Sequence, residues 1–170
     1  RRALANIPVA VEILVARGGA RQADLIEATG CEIVTCGWNF SGKPGDRGTR
    51  KYFIPPAMIT CRSNLPKCLM GGCSGVVVKR SVLVDLGGFD ESLPCLQDYD
   101  LWQRVLVKFP GRTVTEVLYN YQVNDDIARI SNNHGSQLEG LKTFYEKHSW
   151  MMTRSQKRYF RSKPLELRYF

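Results

Sequence analysis

Carboxylates are concentrated in residues 87–104, which read GGFDESLPCLQDYDLWQR. Asp90 and Glu91 lie in the loop half of this stretch, and Asp98 stands where the loop passes into a predicted helix. A carboxylate held beside a cleft can remove a proton from a hydroxyl group, which is general-base chemistry. An Asp in these places also has a simpler structural role, because it caps free N–H groups at a helix start or closes a turn. The pattern therefore predicts a base, a cap, or both, at Asp98.

A second group of polar residues lies in residues 124–135, after a predicted strand. Asp125 and Asp126 have the chemistry to bind a metal ion or a sugar hydroxyl, although such residues more often close a turn. An arginine and a histidine in the same loop can hold a diphosphate or complete a metal shell, although a lone loop histidine usually does neither. These further candidates are Arg129, Ser131 and His134.

Helices and strands alternate in the hydrophobic pattern, which predicts an α/β fold that positions these groups. The short apolar run 7–16 fits a helix or a buried strand equally well. The valine-rich run 74–79 is typical of a strand that is buried on both faces of an α/β sheet. The pattern predicts helices at 20–29, 82–86, 98–109 and 136–150, and strands at 31–40, 74–79 and 113–123.

The predicted helix 98–109 has the clearest pattern, because its apolar residues recur at helical spacing and form one stripe. Asp100 and Arg104 are spaced to form an i, i+4 ion pair on the flank of this helix. Ser81 is the predicted N-cap of the short helix before it, and Gly87 is its predicted C-terminal stop. The apolar stripe consists of Tyr99, Trp102, Val105, Leu106 and Phe109.

The composition describes a folded basic chain, with 170 residues, 44% hydrophobic residues and a net charge of +8. Residues 151–170 carry six of the basic residues and one acidic residue, so we expect a basic aromatic tail after a domain at 1–150. Such a tail favours an anionic partner, for example a membrane surface. The six cysteines form no CxxC pair, which argues against a zinc site. Cys36 and Cys73 lie in apolar runs, so we favour reduced thiols and a cytoplasmic location, although an even count is also compatible with disulfides.

Residues 71–104 resemble the acceptor-side half of the inverting family 2 glycosyltransferases. Members of that family typically show a loop of small residues, a strand, a short helix, the sequence GGFDE, and an acidic pair before a helix that reads DLWxR. Gln97 departs from the family, which usually has Glu there, and the processive signature QxxRW does not occur. The matching residues are Gly87, Gly88, Phe89, Asp90, Glu91, Asp98, Asp100, Leu101, Trp102 and Arg104.

The resemblance implies a GT-A fold, with helices on both sides of a mostly parallel, Rossmann-like sheet. It implies transfer of a sugar with inversion, from a nucleotide-sugar donor to the hydroxyl of a sugar or lipid-linked acceptor, in cell-surface glycan or glycoconjugate synthesis. Asp98 takes the role of general base. A divalent cation, Mg²⁺ or Mn²⁺, is expected on the diphosphate, with Arg129, Ser131 and His134 near it and His134 a candidate ligand. The implied acceptor-binding residues are Gly72, Cys73, Ser74, Asp90, Glu91, Gln97 and Trp102.

The DxD motif that precedes this region in the family does not occur upstream of residue 71. We therefore expect the chain to be the acceptor-side portion of an enzyme and to release no nucleotide by itself. We expect a cytoplasmic protein that contacts the inner membrane face through residues 151–170. The alternative is a basic module that binds nucleic acid or scaffolds a protein partner without catalysis. Nucleic acid is the weaker of these two partners, because no known binding motif occurs and the charge is concentrated in the tail.

Overall fold

The computed structural model describes residues 19–41, 51–122 and 134–168, and they form a mixed α/β fold. The run 7–16 and most of the polar loop 124–135, with Arg129 and Ser131, lie outside the described residues. The helices are α1 (Gly19–Thr29), α2 (Arg80–Asp85), α3 (Gln97–Lys108), α4 (His134–His148) and α5 (Arg154–Arg168). The strands are β1 (Ile33–Ser41), β2 (Lys51–Phe53), β3 (Met58–Ile59), β4 (Val76–Val78) and β5 (Gly111–Gln122).

Strand β1 is the centre of the sheet. It pairs in parallel with β5 on one side, and on the other side it pairs antiparallel with β4 at its start and with β2 at its end. Strand β3 pairs antiparallel with β5. Among the described strands only the β1–β5 pair is parallel, so the expectation of a mostly parallel sheet does not hold for this part of the chain. The coarser prediction, a fold that combines helices with a β-sheet, is confirmed.

Both faces of the sheet are covered by helices. Val77 of β4 packs with Ile26 of α1, whereas Val76 and Val78 pack with Leu101 and other residues of α3. All three valines are buried, as the continuous apolar run predicts. The strand is shorter than predicted, because residues 73–75 form a 3₁₀ turn that precedes it.

The ends of the short helix α2 agree in part with the prediction. Gly87 follows the helix in a left-handed conformation (φ +76°), and its N–H donates to Val84 O over 3.1 Å. A glycine adopts that conformation without the steric cost of a side chain, so it ends the helix as expected. The predicted cap is wrong, because the N-cap is Lys79 and Ser81 lies inside the helix.

Helix α3 begins one residue earlier than predicted, at Gln97. Its N-cap is Leu96, which has φ +63°, and Asp98 is in the first turn rather than at the cap. The apolar stripe is confirmed, since Trp102, Val105 and Leu106 are buried against the sheet and Phe109 is partly buried there. Tyr99 is also buried, but it packs against α4 and α5. This packing fixes the direction in which the first-turn side chains of α3 project.

Helices α4 and α5 form a second apolar cluster with α3. Phe144 of α4 is fully buried and its ring stacks between the rings of Tyr99 and Phe160, with centroids 4.3 and 5.5 Å away. Met151 and Met152, in the connection between the two helices, join the same cluster. The segment predicted as a basic aromatic tail therefore contributes apolar side chains to the core, and α4 begins at His134, two residues before the predicted start.

Candidate active site

Asp98 lies at the positive end of helix α3, beside the loop 71–75. Its Oδ1 accepts the backbone N–H of Tyr99 over 2.7 Å, which orients the carboxylate. Its Oδ2 faces Gly72. A Cβ atom built onto Gly72 would lie 3.7 Å from this oxygen, and beyond the neighbouring residues it would have no other atom within 4 Å. The side chain is half-buried. One carboxylate oxygen is thus anchored to the backbone and the other faces a glycine with free space around its Cα.

The loop 71–75 is held rigidly against the fold. The indole Nε1–H of Trp102 donates to Gly71 O over 3.1 Å, and the amide of Gln22 donates to Gly75 O over 2.6 Å. A Cβ on Gly75 would overlap the ring of Tyr119. The loop therefore has little freedom to move relative to Asp98, and Gly72 is its one glycine that faces the carboxylate.

Burial raises the pKa of Asp98 above the ordinary 3.8, and the N–H bonds at the start of α3 counteract only part of this effect. None of the ion pairs between described residues involves Asp98. Three thiols are close enough for its charge to affect them. The pKa of Cys73 is raised to about 11, mainly by burial and secondly by the negative charge of Asp98. The same two causes raise the pKa values of Cys68 and Cys95. Among the described residues, no ion pair offsets the effect of burial at Asp98, so its carboxylate has the properties of a base rather than of a paired ion.

Asp100, two residues further along α3, has the opposite environment. Its side chain is fully buried, and its oxygens lie 2.8 Å from Arg104 Nε, 2.7 Å from Lys147 Nζ and 2.9 Å from His148 Nε2. Burial alone would raise its pKa, but the hydrogen bonds from His148, Lys147 and Arg104 outweigh it and hold the pKa far below the ordinary value. The predicted Asp100–Arg104 pair exists, but it is buried between helices and does not lie on an exposed flank.

The same charge network holds the GGFDE loop in place. Arg104 donates to the carbonyls of Leu86 and Gly88 over 2.8 and 2.7 Å, and Lys147 donates to Asp90 Oδ2 over 2.6 Å. The hydrogen bonds from Lys147 and then Ser92 lower the pKa of Asp90 to about 2. Asp90 therefore acts here as a turn former and ion-pair partner. These groups line an open hollow of about 240 Å³, but their charges are already paired within the protein.

The remaining predicted acceptor residues are divided between this loop and the loop 71–75. The side chain of Gln97 donates to Leu93 O over 2.8 Å, so it stabilises the turn before α3. Glu91 and Ser74 are exposed, while Trp102 is buried and fixes the loop 71–75. The structure thus brings Gly72, Cys73 and Trp102 next to Asp98, and it joins Asp90 to the Asp100 network instead.

No group of three His, Cys, Asp or Glu side chains suited to hold a metal ion occurs within the described ranges. The surroundings of Asp98 are thiols with raised pKa values, which is not the oxygen-rich set that Mg²⁺ or Mn²⁺ prefers. His134 is the first residue of α4, and the loop that carries Arg129 and Ser131 lies outside the described part.

Sequence reasoning missed Lys147 and His148 as partners of Asp100. They lie 47 and 48 residues from it, and the only signal in the sequence is a basic pair at the end of an amphipathic helix. It also missed Gln22 and Tyr119, which support the loop 71–75 from α1 and β5. All six cysteines are free thiols, and none of the described helices has the length and apolar character needed to cross a membrane.

A scan against known protein families finds no match for this sequence, and a search of curated proteins finds none either.

Proposed function

We propose that this chain is the acceptor-side part of an inverting glycosyltransferase that uses a nucleotide-sugar donor, with Asp98 as the general base. The observation that carries the proposal is the environment of Asp98. Its carboxylate is half-buried, is oriented by the Tyr99 N–H and has a raised pKa, and Oδ2 faces the glycine loop 71–75. The spacing of GGFDE and QDYDLWQR, which resembles family 2, supplies the reaction class.

In the proposed reaction, Asp98 takes the proton of the acceptor hydroxyl as the hydroxyl oxygen attacks the anomeric carbon of the donor. The bond from that carbon to the diphosphate breaks, and the configuration inverts. A raised pKa makes a carboxylate a stronger base, so the burial of Asp98 favours proton transfer. The remaining cost of holding an ionised group there is limited by the first-turn N–H groups of α3.

The other carboxylates of the motif are unsuited to this role. Asp100 is fully buried and bound by Arg104, Lys147 and His148, so it has no access to a substrate and a very weak affinity for a proton. Asp90 is bound by Lys147 and Ser92, and its pKa of about 2 makes it a poor base. Asp98 alone among these three combines access, orientation and basicity.

The proposal predicts that Asp98→Asn strongly slows transfer while substrate binding persists. The assay is coupled nucleotide release, run with a panel of sugar-nucleotide donors on the polypeptide that contains this chain. Loss of a general base lowers kcat by about 10²–10⁴-fold, and we expect the KM for the donor to change little. Asn keeps the side-chain oxygen that accepts the Tyr99 N–H, so the local structure is retained.

The matched control is Asp85→Asn, which removes one exposed carboxylate from the end of α2. We expect this variant to keep the parent kcat. Full activity in Asp98→Asn, or an equal loss in both variants, would contradict the assignment of the base.

A further inference from the structure

The outer face of helix α5 carries a concentration of positive charge. Residues 149–163 contain five Lys or Arg residues and no Asp or Glu. Arg154, Arg158 and Arg161 are exposed and recur at intervals of four and three residues, so their side chains lie on one face of the helix. Lys157 is half-buried and lies at the edge of the same face. These four residues are called the basic face of α5 below.

The opposite face of α5 is fixed to the rest of the protein. Phe160 is buried against Phe144 of α4, with ring centroids 5.5 Å apart. One turn earlier, the side-chain amide of Gln156 donates to the carbonyls of Arg62 and Leu65 over 2.9 and 3.0 Å. The apolar side of the helix is thus used within the fold, and the basic face is the side that α5 presents to a partner.

The basic face has no acidic partner within the described part of the chain. No ion pair between described residues involves Arg154, Lys157 or Arg158. Arg161 donates from Nε to the hydroxyl of Tyr145 over 3.1 Å, which does not neutralise its charge. The hollow beside the GGFDE loop differs in this respect, because its cations are paired with buried or half-buried carboxylates. The basic face of α5 is therefore a surface that attracts anions.

An exposed tryptophan directly precedes this helix. Trp150 lies in the 3₁₀ turn Ser149–Met151 and is 69% exposed. An indole ring favours the boundary between lipid headgroups and acyl chains, because it combines an apolar ring with an N–H donor. Binding of a nucleic-acid strand instead uses a row of exposed rings on which successive bases stack. Within residues 149–163 Trp150 is the one large apolar residue that is exposed, which favours a lipid surface over a nucleic acid.

We propose that the basic face of α5 docks the protein on an anionic lipid bilayer, with Trp150 in the headgroup region. The contact is electrostatic, and it differs from that of an interfacial helix that inserts its apolar side into the lipid. The sequence-based expectation was contact through a tail, whereas this surface is one face of a helix packed into the fold. The proposal goes beyond sugar transfer and does not depend on it, since it uses no residue of the site around Asp98.

The first test is sedimentation of the complete chain with vesicles of phosphatidylcholine alone, and with vesicles that also contain phosphatidylglycerol. Electrostatic attraction acts over about 10 Å at an ionic strength of about 0.1 M and over about 3 Å at about 1 M. We expect binding to the anionic vesicles at the lower ionic strength and release at the higher one. Equal binding to both kinds of vesicle, binding that persists at high salt, or no binding would overturn the proposal.

Two double variants separate the basic face from net charge. Arg154→Gln with Arg158→Gln removes two charges from the basic face, and Arg21→Gln with Arg112→Gln removes two exposed arginines from α1 and β5. A cation close to an anionic membrane strengthens binding about fivefold, so we expect about 25-fold weaker binding for the first variant and little change for the second. Glutamine has nearly the helix propensity of arginine, so α5 is retained. An equal loss in both double variants would overturn the assignment of the surface.

Trp150 supplies a second readout. Trp38 and Trp102 are 7% and 4% exposed, so quenching of tryptophan fluorescence by brominated lipid in the anionic vesicles reports on Trp150. We expect the bound parent protein to be quenched and bound Trp150→Phe to be quenched far less. Absence of quenching in the bound parent would overturn the placement of Trp150 in the headgroup region.

A single-stranded DNA oligonucleotide of random sequence, offered in place of the vesicles, tests the other class of anionic partner. We expect the complete chain to bind it more weakly than the anionic vesicles at an ionic strength of about 0.1 M, where nonspecific contacts with phosphates are already weakened by salt. Oligonucleotide binding that Arg154→Gln with Arg158→Gln weakens, together with no binding to vesicles, would assign the basic face to nucleic acid and overturn the proposal.

Discussion

Two aspartates on one helical turn have opposite properties because of what surrounds each of them. Asp98 is flanked by thiols and backbone, and burial raises its pKa. Asp100 is surrounded by Arg104, Lys147 and His148, which lower its pKa despite complete burial. The chain thus supplies a base and a structural anion from the same short sequence, QDYD. Their difference leads to opposite predictions for stability.

Asp98→Asn should raise the free energy of unfolding at pH 7. The pKa of Asp98 is higher in the folded state than in the unfolded state, so the carboxylate favours folding only when protonated. The difference in unfolding free energy between this variant and the parent should be absent below the ordinary Asp pKa of 3.8 and should grow as the pH rises through the raised value. Urea denaturation across this pH range measures it, with Asp85→Asn as the control. A lower stability of Asp98→Asn at pH 7 would contradict the buried-base description.

Asp100→Asn should have the reverse effect. Removal of one partner from a buried ion pair costs about 3–5 kcal/mol, because the remaining charges lose their compensation. The pKa of Asp100 is lowered by folding, so its stabilisation is present above the ordinary Asp pKa and is lost as the pH falls below it. The parent and the variant should therefore converge in acid when their urea unfolding is compared.

The control for Asp100 is Glu146→Gln on α4. Glu146 pairs with Lys142 at 4.0 Å on the surface, with 61% of its side chain exposed. Exposed pairs of this kind contribute about 0.3–0.5 kcal/mol, so the change should be small. An Asp100→Asn effect no larger than that of Glu146→Gln would show that the buried network does not stabilise the fold.

In the loop 71–75, one glycine leaves no room for a side chain and another does. A Cβ at Gly75 would overlap the Tyr119 ring, whereas a Cβ at Gly72 would have only Asp98 Oδ2 nearby, at 3.7 Å. We expect Gly75→Ala to destabilise the protein by about 1–3 kcal/mol, the usual cost of overpacking. Gly72→Ala should leave stability close to that of the parent. Thermal unfolding of both variants checks this, and equal effects would contradict the described packing of the loop.

The elements show where sequence reasoning succeeds and where it ends. The stripe on α3 was predictable because Tyr99, Trp102 and Val105 repeat at helical spacing, and Asp98 stood out because it follows a glycine-led polar loop. The N-cap was not predictable, since Leu96 adopts a left-handed conformation that leucine rarely takes. Strands of two or three residues, such as β2 and β3, are too short to show a period. The partners of Asp100 were hidden because tertiary contacts over about 48 residues leave no local pattern.

At the scale of the whole molecule, α5 is part of the fold rather than an appendage. Phe160 is 4% exposed and packs with Phe144, Tyr99 and Leu65. We expect Phe160→Ala to cost about 3–5 kcal/mol in urea denaturation, the range for loss of a buried phenylalanine. Trp150→Ala is the matched aromatic control, because Trp150 is 69% exposed and should matter little. A small effect of Phe160→Ala would show that residues 151–168 do detach as a tail.

The order of the strands also constrains how the chain acquires its structure. The parallel partner of β1 is β5, and Val34 pairs with Arg112, which lies 78 residues later in the chain. Among the described strands, the antiparallel neighbours β2 and β4 precede β5 in the chain, so the parallel partner of β1 is the last of its partners to be synthesised. Contacts of such long sequence separation slow folding, and an open strand edge invites association with other chains in the meantime. The same strand carries Tyr119, whose ring lies against Gly75, so the loop beside Asp98 gains this contact only after β5 has been synthesised.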